Sequence, residues 1–357
     1  MGKLKNLNKF TKTNIEAYGL VILAFIILFP LQNAGAINNS ISGQLVPICT
    51  YIVMAISLNL TVGFLGELSL GHAGFMSVGA FTGVIVSICL QGKLSAVPLL
   101  IVSILAGGIT AGIAGLIIGI PVLRLRGDYL AIVTLAFGEI IKNIINCLYV
   151  GLDNTGLHMS MTSAEAMGMV NGKLILNGPQ GAVGIVKMAS FPAGIILILF
   201  TLFVVLNLVN SKTGRAVTAI RDNRIAAESV GISITCYKLT AFVISAALAG
   251  MAGALYALNF STIAAKKFDF NTSILILVFV VLGGMGNIVG SIIATSLLYM
   301  LPELLREYRD YRMLIYAIVL ILVMLATNSE KAKQMREQLS YKWKKFRNKN
   351  TDEQGDA

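Results

Sequence analysis

The sequence predicts an all-α, polytopic membrane protein with about ten transmembrane helices, some of them broken or re-entrant. Only 13% of the 357 residues are charged, 56% are hydrophobic, and the mean hydropathy is +0.80. A soluble chain carries about 25% charged residues. The apolar residues also form long runs, and a helix needs about 20 such residues to cross the hydrocarbon core. Intrinsic disorder, a disulfide scaffold and an ordinary cytosolic enzyme are therefore excluded.

The apolar runs place the crossings in order along the chain, near 18–37, 45–63, 73–90, 98–123, 129–150, 191–210, 239–260, 271–284, 287–305 and 312–328. The first run also has features of a signal peptide, because lysines precede it and Ala34-Gly35-Ala36 resembles a cleavage site. A retained first helix is favoured, since the rest of the chain consists mostly of further membrane segments.

The basic residues predict that both termini are cytoplasmic, because lysine and arginine accumulate on that side of a membrane. With ten crossings and the N-terminus inside, 19 of the 28 basic residues lie in cytoplasmic segments. The chain then consists of a cytoplasmic segment 1–17, a transmembrane region 18–328 and a basic cytoplasmic tail 329–357. The transmembrane region includes a long external loop at 151–190 and a polar internal loop at 211–237. Membrane lipid, not nucleic acid, is the favoured partner of the tail.

Motifs for catalysis and for metal binding are missing from the sequence. It has no GxxxxGK[ST], no HExxH and no Ser/His/Asp set at a plausible spacing. The four cysteines are far apart, and there are only two histidines. The chain is therefore predicted to bind no metal or cofactor and to be no enzyme.

A glycine-rich stretch that begins at Gly63 is the first candidate functional segment. Its glycines would let the backbone bend or let a neighbouring helix approach closely, and a serine and a histidine add hydrogen-bonding groups. Tight helix packing and a translocation path both remain open, and a proton-carrying histidine is less favoured. The residues concerned are Gly66, Ser69, Gly71, His72 and Gly74.

The fifth predicted span, which contains Thr134, also contains two ionisable residues. Glu139 and Lys142 are three residues apart on one helical face, so they could pair. Charged groups within a membrane are costly and usually face an interior or a cavity. A structural ion pair and a contact with substrate both remain open.

A second glycine cluster, Gly283-Gly284-Met285-Gly286-Asn287, separates two short apolar stretches and predicts a hinge. Non-helical backbone at membrane depth survives only where it is buried in protein or lines a cavity. No strand precedes the cluster, so a nucleotide-binding loop is disfavoured.

The internal loop predicts a short amphipathic helix over 211–231 that lies parallel to the membrane. Alanines occupy one side, charged residues the other, and Gly231 is a helix stop. An alanine-rich face favours a protein partner, because lipid binding alone favours bulky apolar residues.

Taken together, these segments resemble the permease subunits of branched-chain amino acid ABC importers. The resemblance covers about Val46–Leu325 in order. It rests on Leu58–Gly63 leading into Gly66–Ala73, on Arg126–Glu139, on Gly214-Arg215 through Gly231, and on Leu282-Gly283-Gly284-Met285-Gly286.

The resemblance implies an ABC-importer permease fold in the cell membrane, with partners that supply energy and cargo. Separate cytoplasmic ATPase subunits would bind ATP and Mg²⁺, and an extracytoplasmic binding protein would deliver the amino acid. A second permease chain would complete the path; a different homologous chain is favoured over a second copy of this one. Coupling to the ATPase is implied for Arg215, Ala219, Arg221, Asp222, Asn223, Ala226, Ala227 and Gly231. The translocation path is expected at Gly66, Ser69, Gly71, His72, Gly74, Thr134, Glu139, Gly283, Gly284 and Gly286.

Other functions remain as alternatives. The same architecture could carry urea or short amides, a pentose or a nucleoside. An ion-coupled secondary transporter is less favoured, because Glu139 is almost the only carboxylate within the predicted spans.

Overall fold

The computed structural model of the chain describes residues 9–35, 38–125, 127–153, 156–163, 165–169, 172–306, 311, 314, 315 and 317–322. Residues 1–8, the basic tail 329–357 and most of the tenth predicted span lie outside the described residues. Two units are distinguished, Met1–Met300 and Leu301–Ala357. The first unit contains the helices and the sheet, apart from the end of the last helix.

Helices make up most of the described chain and follow the predicted spans closely. Each of the first nine predicted spans overlaps one of them. They are α1 (Lys9–Asn33), α2 (Asn39–Asn59), α3 (His72–Cys89), α4 (Ala96–Val122), α5 (Asp128–Asn146), α6 (Phe191–Asn210), α7 (Lys212–Asp222), α8 (Arg224–Ser229), α9 (Ile234–Ala257), α10 (Phe270–Gly283) and α11 (Ile288–Leu304). Among the described residues, seven helices are long and apolar enough to cross a membrane, namely α1 to α6 and α9.

The all-α prediction is wrong in one region, where strands of the long loop after α5 form a small antiparallel sheet with a short strand that follows α9. Its strands are β1 (Tyr149–Asp153), β2 (Gly156–Ser160), β3 (Lys173–Asn177), β4 (Ala182–Val183) and β5 (Thr262–Ile263), in the order β2-β1-β3-β4-β5. The strands were missed because they are short and glycines and methionines interrupt their apolar pattern. Residues 177–181 form the tight connection from β3 to β4, where Gly181 has a φ of 75°.

The core of the helical region is built on close contacts between α3, α4 and α9. Gly79 of α3 lies against the backbone of Gly250 in α9, so a Cβ atom at position 79 would lie 2.1 Å from the Gly250 carbonyl oxygen. Gly253 lies equally close to Met76. Small residues allow such approach, which matters in a bilayer because lipid tails are as apolar as leucine and packing has to supply the attraction. Glycines thus allow α3 and α9 to approach closely.

We expect Gly253→Ala to destabilise the protein, because the added Cβ would lie 1.9 Å from the Met76 carbonyl oxygen. Overpacking of this kind costs about 1–3 kcal/mol. The measurement is thermal unfolding in detergent. The control is Gly43→Ala in α2, where a Cβ meets nothing within 4 Å. Equal unfolding temperatures for the two variants would contradict the packing described here.

Candidate functional site

The first glycine break, defined here as Gly63–Gly71, joins α2 to α3. The α2 helix widens into a π-helical turn at Leu60–Phe64, and the chain then leaves helical geometry at Gly66, whose φ is 76°. The α3 helix begins at His72. The predicted bend is therefore present, and it leaves backbone carbonyls at the end of the π-helical turn without partners along the chain.

The second glycine break, defined here as Gly283–Asn287, turns the chain from α10 into α11. Gly284 and Gly286 have φ values of 93° and 81°, which favour glycine. Gly283 lies against the backbone of Gly290 and Ser291, where a Cβ would lie 2.5 Å from the Ser291 nitrogen. The predicted hinge is thus a tight turn between two helices.

Asn59 brings the two glycine breaks together. Its side-chain Oδ1 accepts a hydrogen bond from the Gly286 nitrogen at 2.8 Å, and its Nδ2 donates to Ser291 Oγ at 3.0 Å. Gly63 lies directly against Gly286, since a Cβ at position 63 would lie 2.3 Å from the Gly286 nitrogen. Asn59 is fully buried. No role was predicted for it, although an asparagine within an apolar run is a signal that could have identified it.

His72 takes part in a buried hydrogen-bond network at the start of α3. Its Nε2 lies 2.8 Å from Ser57 Oγ, and the hydroxyl of Ser245 donates to the Ser57 carbonyl oxygen. These bonds connect α2, α3 and α9. They favour a structural role for His72, whose ring is hydrogen-bonded to Ser57, over the role of a proton carrier.

The end of the first break also packs closely on α5. The Leu70 nitrogen donates to Thr134 Oγ1 at 3.1 Å, and Gly71 lies against the Thr134 carbonyl oxygen. One turn further on, Gly74 faces Gly138. Three predicted path residues, Gly71, Gly74 and Thr134, therefore meet at one helix contact.

Two buried hydroxyls have no hydrogen-bond partner among the described residues. They belong to Ser69, in the first break, and to Ser77, in α3, and both are at most 2% exposed. A buried hydroxyl without a partner is costly. Both therefore have bonding capacity available for a ligand or for water.

The predicted pair of Glu139 and Lys142 is present on α5 as a partly exposed ion pair. The positive charge of Lys142 also lowers the pKa of Asp269. Asp269 caps the start of α10, because its Oδ1 accepts a hydrogen bond from the Thr272 nitrogen at 2.9 Å. Burial alone would raise the pKa of Asp269. Hydrogen bonds from Thr272 and Asn271 and the charge of Lys142 outweigh burial, so the pKa lies below its usual value. The side-chain partner of Glu139 is Lys142 of the same helix.

The segment 211–231 forms two short helices, which corrects the prediction of one. Ser211 caps α7 by accepting from the Gly214 nitrogen, and Asn223 caps α8 by accepting from the Ala226 nitrogen. Asparagine and serine favour this position because their short side chains reach the free backbone N–H groups. Gly231, with a φ of 83°, follows the end of α8 as predicted.

The α7–α8 pair has a buried face and an exposed face. The buried face holds Ala227, which packs with Ile220 and Ile234, so this predicted coupling residue is inside the protein. The exposed face includes two large apolar side chains, Ile225 at 80% and Val230 at 77% exposure. The other predicted coupling residues are exposed, namely Arg215, Ala219, Arg221, Asp222, Asn223, Ala226 and Gly231.

Two cationic side chains connect this region to the first glycine break. Arg221 of α7 donates from Nη1 to the Gly63 carbonyl oxygen at 2.9 Å. Lys238 of α9 forms a largely buried ion pair with Glu67. The sequence did not indicate the partners of Glu67 and Lys238, because 171 residues separate them along the chain.

Within the part of the chain that the structure describes, no group of three or more His, Cys, Asp or Glu side chains is placed to hold a metal ion.

The apolar helices, their glycine contacts and the two breaks are those of a multi-pass membrane protein. The sequence profile described as "Branched-chain amino acid transport system / permease component" matches residues 40–324. The chain belongs to this family, and the resemblance noted in the sequence is confirmed.

Similar proteins include two bacterial members of this class. The chain is 36% identical to the high-affinity branched-chain amino acid transport system permease protein LivM of Salmonella typhimurium and to that of Escherichia coli, over 77% of this chain and 66% of each relative. It is 25% identical to the nucleoside ABC transporter permease protein NupC of Lactococcus lactis, over 57% of this chain and 64% of that protein. The matched region thus spans slightly less than two thirds of these relatives. No solved structure matches the chain.

We expect Asn59→Ala to destabilise the contact between the two breaks, because it leaves the Gly286 N–H without its acceptor and removes the hydrogen bond to the Ser291 hydroxyl, which keeps only its own bond to the Asn287 carbonyl oxygen. An unsatisfied buried polar group costs about 1–3 kcal/mol. Thermal unfolding in detergent measures the loss, with Asn210→Ala, at an exposed position at the end of α6, as the control. A variant at position 59 that unfolds at the temperature of the parent would show that Asn59 does not hold the breaks together.

Proposed function

We propose that this chain is the permease subunit of an ATP-binding-cassette importer and forms the translocation path for branched-chain amino acids. The family match over residues 40–324 carries the proposal, and the two LivM relatives at 36% identity support it. The proposed topology has ten crossings with both termini in the cytoplasm, as the basic residues predict.

The proposed energy source is a pair of cytoplasmic ATPase subunits, which bind ATP and Mg²⁺ and contact the α7–α8 pair. The support is the exposed surface of this pair, where Ile225 and Val230 are apolar and Arg215 is charged. Large exposed apolar side chains rimmed by polar residues are typical of protein interfaces. A lipid-binding helix would have a broader apolar face than these two short helices offer.

The proposed path runs beside the first glycine break and α5. A zwitterionic amino acid needs hydrogen-bonding groups for its head and apolar wall for its side chain. The unpartnered hydroxyls of Ser69 and Ser77 supply hydrogen-bonding groups for the head of the amino acid. Broken helices in transporters supply further backbone groups for the same purpose. A second permease chain completes the path, and an extracytoplasmic binding protein delivers the substrate.

Nucleoside cargo is the alternative, supported by the similarity to the nucleoside permease at 25% identity. The architecture and the energy source would be unchanged. Competition between substrates therefore separates the two possibilities.

We expect deletion of this chain from its native cells to abolish ATP-dependent uptake of radiolabelled leucine at low concentration, and re-expression to restore it. Unlabelled isoleucine and valine should compete, and uridine should not. Uptake should persist when the proton gradient is collapsed and stop when ATP is depleted, because the ATPase subunits supply the energy. Unchanged leucine uptake after deletion would contradict the proposed cargo, and uptake driven by the proton gradient would contradict the proposed class.

We expect Ile225→Glu to lower leucine uptake. It should also lower the amount of ATPase that co-purifies with an affinity-tagged form of this chain. Glutamate would place an unpaired charge in an apolar contact. A contact worth about 1.4 kcal/mol corresponds to about a tenfold loss of affinity. Ile225→Leu is the matched control, since it keeps the apolar surface, and immunoblotting of membranes checks that both variants are present. Full recovery of the ATPase with the glutamate variant would exclude this face as the docking surface.

A further inference from the structure

The side chain of Arg221 attaches the first glycine break to the α7–α8 pair. Gly63 lies in the π-helical turn that ends α2, where the last carbonyl groups have no partner within the helix. The guanidinium group donates to the Gly63 carbonyl oxygen at 2.9 Å. A cation at a helix C-terminus also interacts favourably with the helix dipole. Arg221, which belongs to α7, therefore caps the C-terminal end of α2.

The stem of Arg221 rests on Gly66, the residue at which the chain bends. A Cβ at position 66 would lie 2.6 Å from Arg221 Cγ, so only glycine leaves room for the stem. The guanidinium is oriented by Asp222, whose Oδ1 accepts from Nε at 3.1 Å and from Nη2 at 2.9 Å. The planar fork of arginine makes these contacts together with the bond to Gly63. A lysine, with a point charge, would not reproduce them.

The other end of the same stretch is held by a different helix. Glu67 pairs with Lys238 in the first turns of α9, and their side chains are only 15% and 6% exposed. Breaking a buried pair leaves an uncompensated charge and is strongly unfavourable. The stretch Gly63–Glu67 is therefore bound to α7 at one end and to α9 at the other, with the flexible Gly66 between.

We propose that Arg221 is a positioning residue that transmits movement of the α7–α8 pair to the first glycine break, with the Glu67–Lys238 pair as the second attachment. Displacement of α7 relative to α9 then changes the backbone at Gly66. Since Gly63 lies against Gly286 and Asn59 bonds to the Gly286 nitrogen, the second break follows the first. This inference rests on the proposed function, because the ATPase subunits supply the movement.

The test monitors the accessibility of the first break while the ATPase changes state. Leu68 lies within the break and its side chain is 37% exposed. Leu68→Cys is introduced after the four native cysteines are changed to alanine, and the chain is purified with the subunits that accompany it and placed in nanodiscs. The rate of maleimide labelling is measured with and without Mg-ATP and vanadate, and ATP hydrolysis is measured on the same samples.

With Arg221 in place, we expect trapping to change the labelling rate by about fivefold or more, the lower range of coupling between sites. Arg221→Met should make the labelling rate independent of nucleotide, and ATP hydrolysis on the same samples shows whether the ATPase is still bound. Arg221→Lys should restore part of the response. Lys212→Met, which removes an exposed cation of the same helix, should respond like the parent.

A full nucleotide response with Arg221→Met, or equal responses with Arg221→Met and Arg221→Lys, would overturn the positioning role of Arg221. Either result would leave the proposed function intact. If no ATPase co-purifies with the parent chain, the proposed function is overturned, and this inference is overturned with it. If Arg221→Met is not recovered as an assembled complex, Arg221→Lys decides the question, because a response equal to that of the parent overturns the proposal.

Discussion

The structure depends on the close contact of two interrupted helices at Gly63 and Gly286. Interrupting a helix inside a membrane protein exposes backbone N–H and C=O groups that lipid cannot satisfy. Here two such groups at the contact have partners from within the chain. Asn59 accepts from the Gly286 nitrogen, and Arg221 donates to the Gly63 carbonyl oxygen. Glycine is required because a Cβ at position 63 would collide with both Asn59 and Gly286.

The remaining helices are arranged around this contact by the same use of small residues. The end of the first break rests on Thr134 of α5, and α3 packs on α9 through Gly79 and Gly253. Such contacts are close but contain little interlocking side-chain volume, so one helix can shift on another without a large loss of packing. This property suits the proposed transport cycle, in which the two breaks and α5 change their positions relative to the rest of the bundle.

Much of this could be predicted from the sequence, because apolar runs and glycine spacing directly report spans and bends. The nine spans within 9–304, the bend after Gly63, the turn at Gly283–Gly286 and the Glu139–Lys142 pair were predicted, whereas the segment 211–231 was predicted as one helix and forms two. The sheet after α5 was not predicted, since its short strands become stable only by pairing with each other and with β5. Long-range polar partners were also missed. Nothing local in a single sequence indicates that Glu67 pairs with Lys238, or that Asn59 reaches Gly286.

The proposed coupling makes Gly63 and the second glycine break move together, while the backbone bends at Gly66. The most direct test is the distance between spin labels at Leu68 and Met285, which are 37% and 62% exposed, measured by pulsed electron paramagnetic resonance in the assembled transporter. A third label on the external strand β2, at Met159, serves as the reference. On trapping with ATP and vanadate, we predict a changed distance between 68 and 285, because the bend at Gly66 lies between Leu68 and the contact of Gly63 with Gly286. An unchanged distance between 68 and 285, with a changed distance from each to 159, would show that the backbone at Gly66 does not change and would contradict the proposed coupling.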